Sequence, residues 1–440
     1  MPRVAVVGAG LAGLAAAREL AAHGVDVVVL ESTGAVGGKV RASEVGGLLV
    51  DEGADSMLRR VPEGVALAEA VGLPLVSPAT GEAGLWTDRV RPLPAGTVMG
   101  IPTDLAAVRD VAGDIEEALG DPVVEDVSVG ALVRARLGDA VVDRLVDPLL
   151  GGVYAGQADG LSVRATLPQL WPHLAEHRSL VAAARAARGT PSPGPVFAQT
   201  EGSLGLLPAA AARGLDVRLS KTVRGLARTT HGWRLETGSA ADPAHLDVDA
   251  VVLAVPAAPA ARLLQGSVPT EELACVRYAS LAIVTLVLDG PSPGFGSGYL
   301  VPAVTGRTTK AVTFTSRKWD RPGPAVVRAS VGRAGEESTL HRDDRDLVAV
   351  VSAELVEALG DVPRVLDSRV TRWGGGLPQY APGHLDLVDR LRRALPPTLA
   401  VAGAAYDGVG VPAVLRSGAN AAQQVLSDLQ QGIGGSASNH

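Results

Sequence analysis

The residues of this 440-residue chain best placed for chemistry are glycines in turns. Gly8-Ala9-Gly10-Leu11-Ala12-Gly13 stands between an apolar strand-like run, Arg3 to Val7, and a helix-like run, Leu14 to His23. In such a turn the first glycine permits the tight bend and the second lets the backbone approach a pyrophosphate. The third lets helix and strand pack closely, and the helix N-terminus offers N–H donors and positive dipole to phosphates. Glu31, followed by Ser32, ends the next strand-like run, 18 residues after Gly13. A carboxylate there accepts hydrogen bonds from a ribose and repels a 2′-phosphate.

A second glycine turn, Gly37-Gly38-Lys39, follows directly, and Gly53-Ala54-Asp55-Ser56 comes soon after. A NAD-dependent dehydrogenase proceeds from the acidic strand to another helix. The extra loop instead resembles the additional phosphate and ribityl contact of a glutathione-reductase-type FAD fold. Two distant pieces fit the same scheme. Asp249 to Pro256 is a hydrophobic strand ending in Val255-Pro256, and in this fold the backbone near Val223 lies against the adenine. Gly403 to Pro412, with Val409, Gly410 and Val411, is a strand-turn-helix that points N–H donors at the flavin end. The lone cysteine, Cys275, stands outside these turns, so FAD is expected to be non-covalent and Cys275 to be a small buried apolar residue. His173, His177 and His384 show no metal-ligand spacing with Cys275 or with carboxylates, and no metal is expected. Tyr380 and Tyr406 lie near the cofactor turns, where packing explains them as well as binding does.

The elements that must hold these turns follow from periodicity. Arg3 to Val7 and Val25 to Leu30 are β-branched runs of the kind buried on both faces of a parallel sheet. Pro102 to Arg188 is helical, closed by a Pro/Gly/Ser loop from Gly189 to Pro195. Strand signals return at Asp216 to Leu219, Gly232 to Thr237 and Ala250 to Val255. They recur from Ser280 to Leu288, Lys310 to Ser316, Pro324 to Gly332 and once more after Leu399. The predicted architecture is α/β: a glutathione-reductase-type FAD-binding Rossmann fold with an inserted mixed-sheet substrate domain and an inserted mainly helical domain. The FAD-binding domain takes residues 1–58, 197–263 and 393–431, and the substrate domain takes 59–100 and 264–392. Residues 101–196 form the helical domain, and 432–440 a disordered tail.

Composition narrows the partners. With 40 Lys+Arg against 47 Asp+Glu, the net charge of −7 and the absence of a basic block speak against nucleic acid. A single cysteine excludes an intrachain disulfide and favours a reducing compartment, so a cytoplasmic location is expected. No apolar stretch reaches the ~20 residues of a membrane span. Only three Phe, five Trp and five Tyr mean that a large flat ligand must be held by aliphatic walls and backbone.

From Val4 to about Leu429 the chain resembles the protoporphyrinogen/coproporphyrinogen oxidases, a branch of the flavin amine-oxidase superfamily. The resemblance rests on Gly53 to Ser56, Pro92 to Gly96 with Met99 to Pro102, and Asp147 to Gly156. Leu161 to Ala165, Leu377 to Tyr380 with Gly383-His384, and the Gly403 to Gly418 turn complete it. It implies FAD-dependent, oxygen-using oxidation of coproporphyrinogen III to coproporphyrin III, six electrons in three flavin turnovers with hydrogen peroxide as by-product. Protoporphyrinogen IX oxidation is the alternative. No protein acid or base is implied, because aromatisation drives the reaction. Propionates need cations, and the family places a basic residue where Arg59-Arg60 stand. Arg89, Arg91, Lys310, Arg317 and Lys318 are weaker candidates, each read as a solvated charge. The helical segment is expected to cover the substrate cavity with at most weak peripheral membrane contact, and a ferrochelatase is a plausible recipient of product. An amine oxidase or desaturase would share the FAD elements but not Leu377 to Tyr380. A GDP-dissociation-inhibitor-like scaffold would have lost the intact glycine turns.

Overall fold

The computed structural model describes residues 1–189, 194–239 and 241–437, with side chains to 431. Its first sheet is a five-stranded parallel one, in the order Asp216–Arg218, Asp26–Leu30, Arg3–Val7, Ala250–Leu253 and Leu399–Val401. Alternation explains how these short strands are covered on both sides. Val4, Val6, Val27, Val29 and Val252 face the helices Leu11–Ala22 and Val411–Ala437. Ala5, Val7, Val28, Val251 and Leu253 face Ala257–Leu264, His384–Ala394 and an antiparallel meander of Gly225–Thr229, Gly232–Gly238 and Pro243–Val248.

The two helices on the first face cross very closely. A Cβ on Gly418 would fall 2.0 Å from the Ala12 carbonyl oxygen, so glycine is what lets them touch. Their N-termini consequently lie side by side at the carboxyl edge of the sheet, the edge at which ligands of such folds bind.

A second, seven-stranded sheet runs in the order Val365–Pro378, Tyr278–Leu288, Ala325–Val331, Thr309–Phe314, Gly298–Leu300, Gly84–Trp86 and Val90–Pro92. All neighbours are antiparallel except Gly298–Leu300 with Gly84–Trp86. Helix Asp344–Leu359 covers one face through Leu347, Val351 and Leu355. Between residues 105 and 188 the described chain is helical, with its own core around Val133, Leu145, Leu150, Leu161 and Leu167.

The structure differs from the sequence reading at several boundaries. The first helix begins at Leu11, not Leu14, because Gly10 is already its N-cap. Helix Pro62–Ala70, drawn above with the substrate domain, packs Ala68 with Leu11, Leu207 and Leu415 of the nucleotide-binding layer. His384–Ala394 likewise sends Val388 and Leu391 into the parallel-sheet core. Burial decided both, and linear order could not show it. The last helix continues to Ala437, past the expected tail boundary at Gly432, because each added residue of a formed helix closes one more hydrogen bond. Residues 190–193 of the Gly189 to Pro195 loop and 438–440 of the tail lie outside the described residues.

Candidate active site

At the first glycine turn the packing has no slack. A Cβ on Gly8, whose φ is +102°, would fall 2.5 Å from the Ala254 carbonyl oxygen, and one on Gly13 only 1.9 Å from the Gly8 carbonyl oxygen. Gly10 is the opposite case. Its φ is −69° and nothing lies within 4 Å of its Cβ position. The helix it opens has no side-chain cap and no acidic residue in its first turn. A helix N-terminus left in this state lacks partners for its first N–H groups and favours an anion. Glycine at position 10 therefore keeps space open in front of those donors.

The other predicted segments are brought to this place. Gly37 N–H donates to the Ala9 carbonyl at 2.8 Å, Gly10 and Gly37 form a parallel bridge, and the Gly38 Cβ position is 3.4 Å from Gly10 Cα. Ala54 N–H donates to the Lys39 carbonyl at 3.3 Å. Glu31 is buried and its carboxylate accepts from Ala9 N–H, Thr33 N–H and Thr33 Oγ1, each at 2.8 Å, while exposed Ser32 donates to it at 3.3 Å. Lys39 is half-buried, its ammonium 5.8 Å from the Tyr278 ring centroid, and burial lowers its pKa. Val255 packs 3.3 Å from the Gly8 Cβ position, Pro256 is the N-cap of Ala257–Leu264, and half-buried Val223 packs on the same core. On the far side, a Cβ on Gly403 would lie 3.9 Å from Ala12 Cβ, and Gly403 donates its N–H to Ser417 Oγ at 2.8 Å. Gly410 precedes the long helix, Val411 packs with Leu11, and Val409 packs on the helical-segment core. The cradle is lined by backbone donors, one carboxylate and one cation, which fits a dinucleotide with a pyrophosphate and a ribose.

Asp55 is engaged by charged partners. Its carboxylate pairs with Lys318 at 3.3 Å and Arg328 at 3.2 Å, and Ser56 donates to it at 3.0 Å. Burial pushes the Asp55 carboxyl up, but the two cations outweigh it and hold it at about 2. Arg328 also donates to the Gly53 carbonyl, and Trp373 Nε1 to the Glu52 carbonyl at 2.9 Å. Asp51, fully buried, accepts from Gln199, Ser203 and Gly205 at 2.6–2.9 Å, and burial raises its pKa. Arg328 and Trp373 thus fasten the 51–56 loop to the second sheet, and Asp51 fastens it to residues 199–205. The sequence reading missed Arg328, although a lone charge inside the apolar run Ala325 to Val331 was a signal of buried pairing.

Next to this loop, Ala155, Ala279, Leu281 and Ile283 form an apolar cluster with Ala334, Trp373 and Leu377. Tyr380 donates to the Ala404 carbonyl, stacks on His384 at 4.6 Å, and meets Tyr154 edge-on at 5.7 Å. Tyr406 is buried with no partner for its hydroxyl, and burial raises its pKa. Tyr380, His384 and Tyr406, with Arg164, Arg392 and Gly408, line a cavity of about 280 Å³.

Arg59 and Arg60 are exposed beside the Met57–Leu58 strand, Arg59 donating to Ser77 Oγ at 3.2 Å, and neither has an ion-pair partner among the described residues. Arg89 and Arg317 are exposed as expected, and Arg91 is held by Asp88 and the Asp110 carbonyl. Lys310 is buried and Lys318 is half-buried and paired with Asp55, correcting their reading as solvated charges. Cys275 is exposed, not buried, because it ends the short helix Glu271–Ala274 on the way out of the core. His173, Glu176 and His177 do share a metal-compatible spacing, one ligand atom from each lying within 4.8 Å of the others on a single helical turn. The His173–Glu176 contact at 3.6 Å already accounts for part of that proximity.

A family model of flavin-containing amine oxidoreductases matches residues 11–426. The coproporphyrinogen III oxidase of Mycobacterium tuberculosis is 37% identical, the alignment covering 96% of this chain and 97% of that one. The protein of the same name from Bacillus subtilis is 30% identical over 97% of this chain and 98% of its own. A crystal structure from Exiguobacterium sp. 255-15, provisionally named a protoporphyrinogen oxidase, superposes with a TM-score of 0.85 at 30% identity, covering 98% of this chain and 99% of that one. A putrescine oxidase at 18% identity, covering 97% and 99%, and a TM-score of 0.72 shares the fold. No helix of the described residues is long and apolar enough to cross a membrane. The chain is a flavin-dependent oxidoreductase that belongs to the flavin-containing amine oxidoreductase family and, within it, to the branch of the coproporphyrinogen III oxidases.

Proposed function

We propose that this chain binds FAD non-covalently and oxidises coproporphyrinogen III to coproporphyrin III, with oxygen as acceptor and hydrogen peroxide as by-product. The observation that carries the reading is the uncapped helix at Gly10, open in front and flanked by Glu31 and Gly37, in a chain whose near-full-length relatives bear that enzyme's name. FAD, when bound, supplies the two-electron acceptor that no side chain here can provide. The helix N–H groups would hold its pyrophosphate, and Glu31 its ribose, alongside Gly13, Gly38, Lys39 and Gly403 to Val411. The apolar cluster around Leu281 and Ile283 excludes water and offers a flat macrocycle an aliphatic wall. Arg59 and Arg60, uncompensated and exposed, are suited to propionates at the mouth.

We place the enzyme in the cytoplasm, with at most weak peripheral membrane contact, and handing phototoxic product to a ferrochelatase belongs to the same proposal. The test is direct. Purified protein should be yellow, release FAD on denaturation, and form fluorescent porphyrin from coproporphyrinogen III in air. A colourless chain that takes up no FAD overturns the reading. Equal or faster initial rates on protoporphyrinogen IX would replace the substrate.

A further inference from the structure

Of two neighbouring cations inside the protein, Lys310 has no ion-pair partner among the described residues and Arg333 has only a long one. Lys310 and Arg333 are 6% and 7% exposed. Lys310 lies where Thr309–Phe314 shifts register against Ala325–Val331, between Thr309 and Ala311. Its carbonyl accepts from Val301 N–H at 2.9 Å, and the Val301 carbonyl accepts from Arg333 Nη2 at 3.2 Å. The two cationic residues therefore bracket one backbone position.

That position adjoins the proposed macrocycle wall. A Cβ on Gly332, the residue before Arg333, would lie 3.2 Å from Leu281 Cα, and Ala334, the residue after it, donates to the Ala155 carbonyl at 2.8 Å. Leu281, Ala334 and Ala155 all belong to the apolar cluster.

Counter-charge is short. Arg333 reaches only Glu336, at 3.9 Å and half exposed. Asp147 and Glu354 act on it from further away, and neither is within ion-pair distance of it among the described residues. No carboxylate among the described residues lies within ion-pair distance of Lys310, and the one charge acting on it is the like charge of Arg333. A buried ammonium in that position costs several kcal/mol unless an anion joins it or it loses its proton. Burial, with Arg333 adding, brings Lys310 down to about 7.

We propose that Lys310 and Arg333 form an internal carboxylate subsite, which takes one propionate of the porphyrinogen while the macrocycle lies on the neighbouring apolar cluster. The subsite is separate from Arg59 and Arg60 and rests on the porphyrinogen reading. The carboxylate would supply the missing counter-charge, and a charge-assisted hydrogen bond in a buried place is worth enough to fix the ring's orientation.

The test uses holoenzyme titrated with coproporphyrin III and, separately, with its tetramethyl ester, which keeps the macrocycle and removes the charges. Lys310→Met should weaken coproporphyrin binding roughly tenfold to a hundredfold, the loss of one bond to a charged group, and leave the ester unchanged. Lys310→Arg should recover part of the loss. Methionine matches the buried stem, so the Met variant should melt no lower than wild type. Unchanged coproporphyrin affinity in Lys310→Met overturns the subsite, and so does equal weakening for acid and ester, which would report lost packing. Wild-type protein that binds neither ligand overturns the porphyrinogen reading itself.

Discussion

Gly10→Ala separates the folding role of the first glycine turn from its binding role. The backbone at Gly10, φ −69° and ψ 172°, suits alanine, and the added methyl would meet nothing within 4 Å. In the apoprotein the substitution should stabilise by about 0.4–1 kcal/mol, through reduced freedom of the unfolded chain. With FAD present the same methyl occupies the space in front of the helix N–H groups. Losing one or two bonds to the pyrophosphate costs about 3 kcal/mol, which is roughly a hundredfold in Kd. At FAD equal to about a hundred times the wild-type Kd, ligand stabilises wild type by about 2.7 kcal/mol, and the variant by only about 0.4. The net change is thus a more stable apoprotein and a holoprotein weaker by about 1.3–1.9 kcal/mol. Urea unfolding of both forms, with flavin-fluorescence titration of the apoprotein, reads every term. A variant that binds FAD as wild type does would refute the assignment of Gly10 to the pyrophosphate, and a destabilised apoprotein would refute the packing argument.

Gly13→Ala and Gly418→Ala should behave oppositely, since their Cβ positions fall 1.9 and 2.0 Å from backbone oxygens. Both should destabilise the apoprotein by about 1–3 kcal/mol or more, seen as a lower urea midpoint without FAD. Asp55→Asn leaves Lys318 and Arg328 uncompensated and should cost about 3 kcal/mol at pH 7. The Asp55 carboxyl is held at about 2 in the fold, below its ordinary 3.8, so its contribution is complete above about pH 5. The wild-type advantage should then shrink as pH falls through 4 towards 2, and a difference independent of pH over that window would refute it. Trp373→Phe removes the bond to the Glu52 carbonyl and should lower stability by about 1 kcal/mol, with FAD affinity falling if the 51–56 loop helps to seat the cofactor.

The local pattern of this chain was unusually readable where backbone geometry imposes residue type. Gly8 and Gly13 are glycine because nothing larger fits against backbone oxygens, and Val4 to Val7 alternate between two covered faces, so strand, turn and helix could be read from order alone. Asp55 shows the limit. It belongs to a recognisable motif, yet its carboxylate answers to Lys318 and Arg328, more than 260 residues away, and no local signal names those partners. Lys310 and Arg89 are both basic residues near strands in the sequence, but one is buried and the other solvated. Cys275 and the His173–Glu176–His177 turn were misread for the same reason, because exposure and side-chain convergence depend on what packs nearby.

By itself the sequence determined the glycine turns, their order, the covering of the parallel strands and the family resemblance, because each is written in residues close together along the chain. Tertiary structure alone decided which charges are paired, which are buried without a partner among the described residues, and that two helices cross in contact at Ala12 and Gly418. Those properties depend on desolvation and on distances between segments far apart in sequence. Only folding sets them.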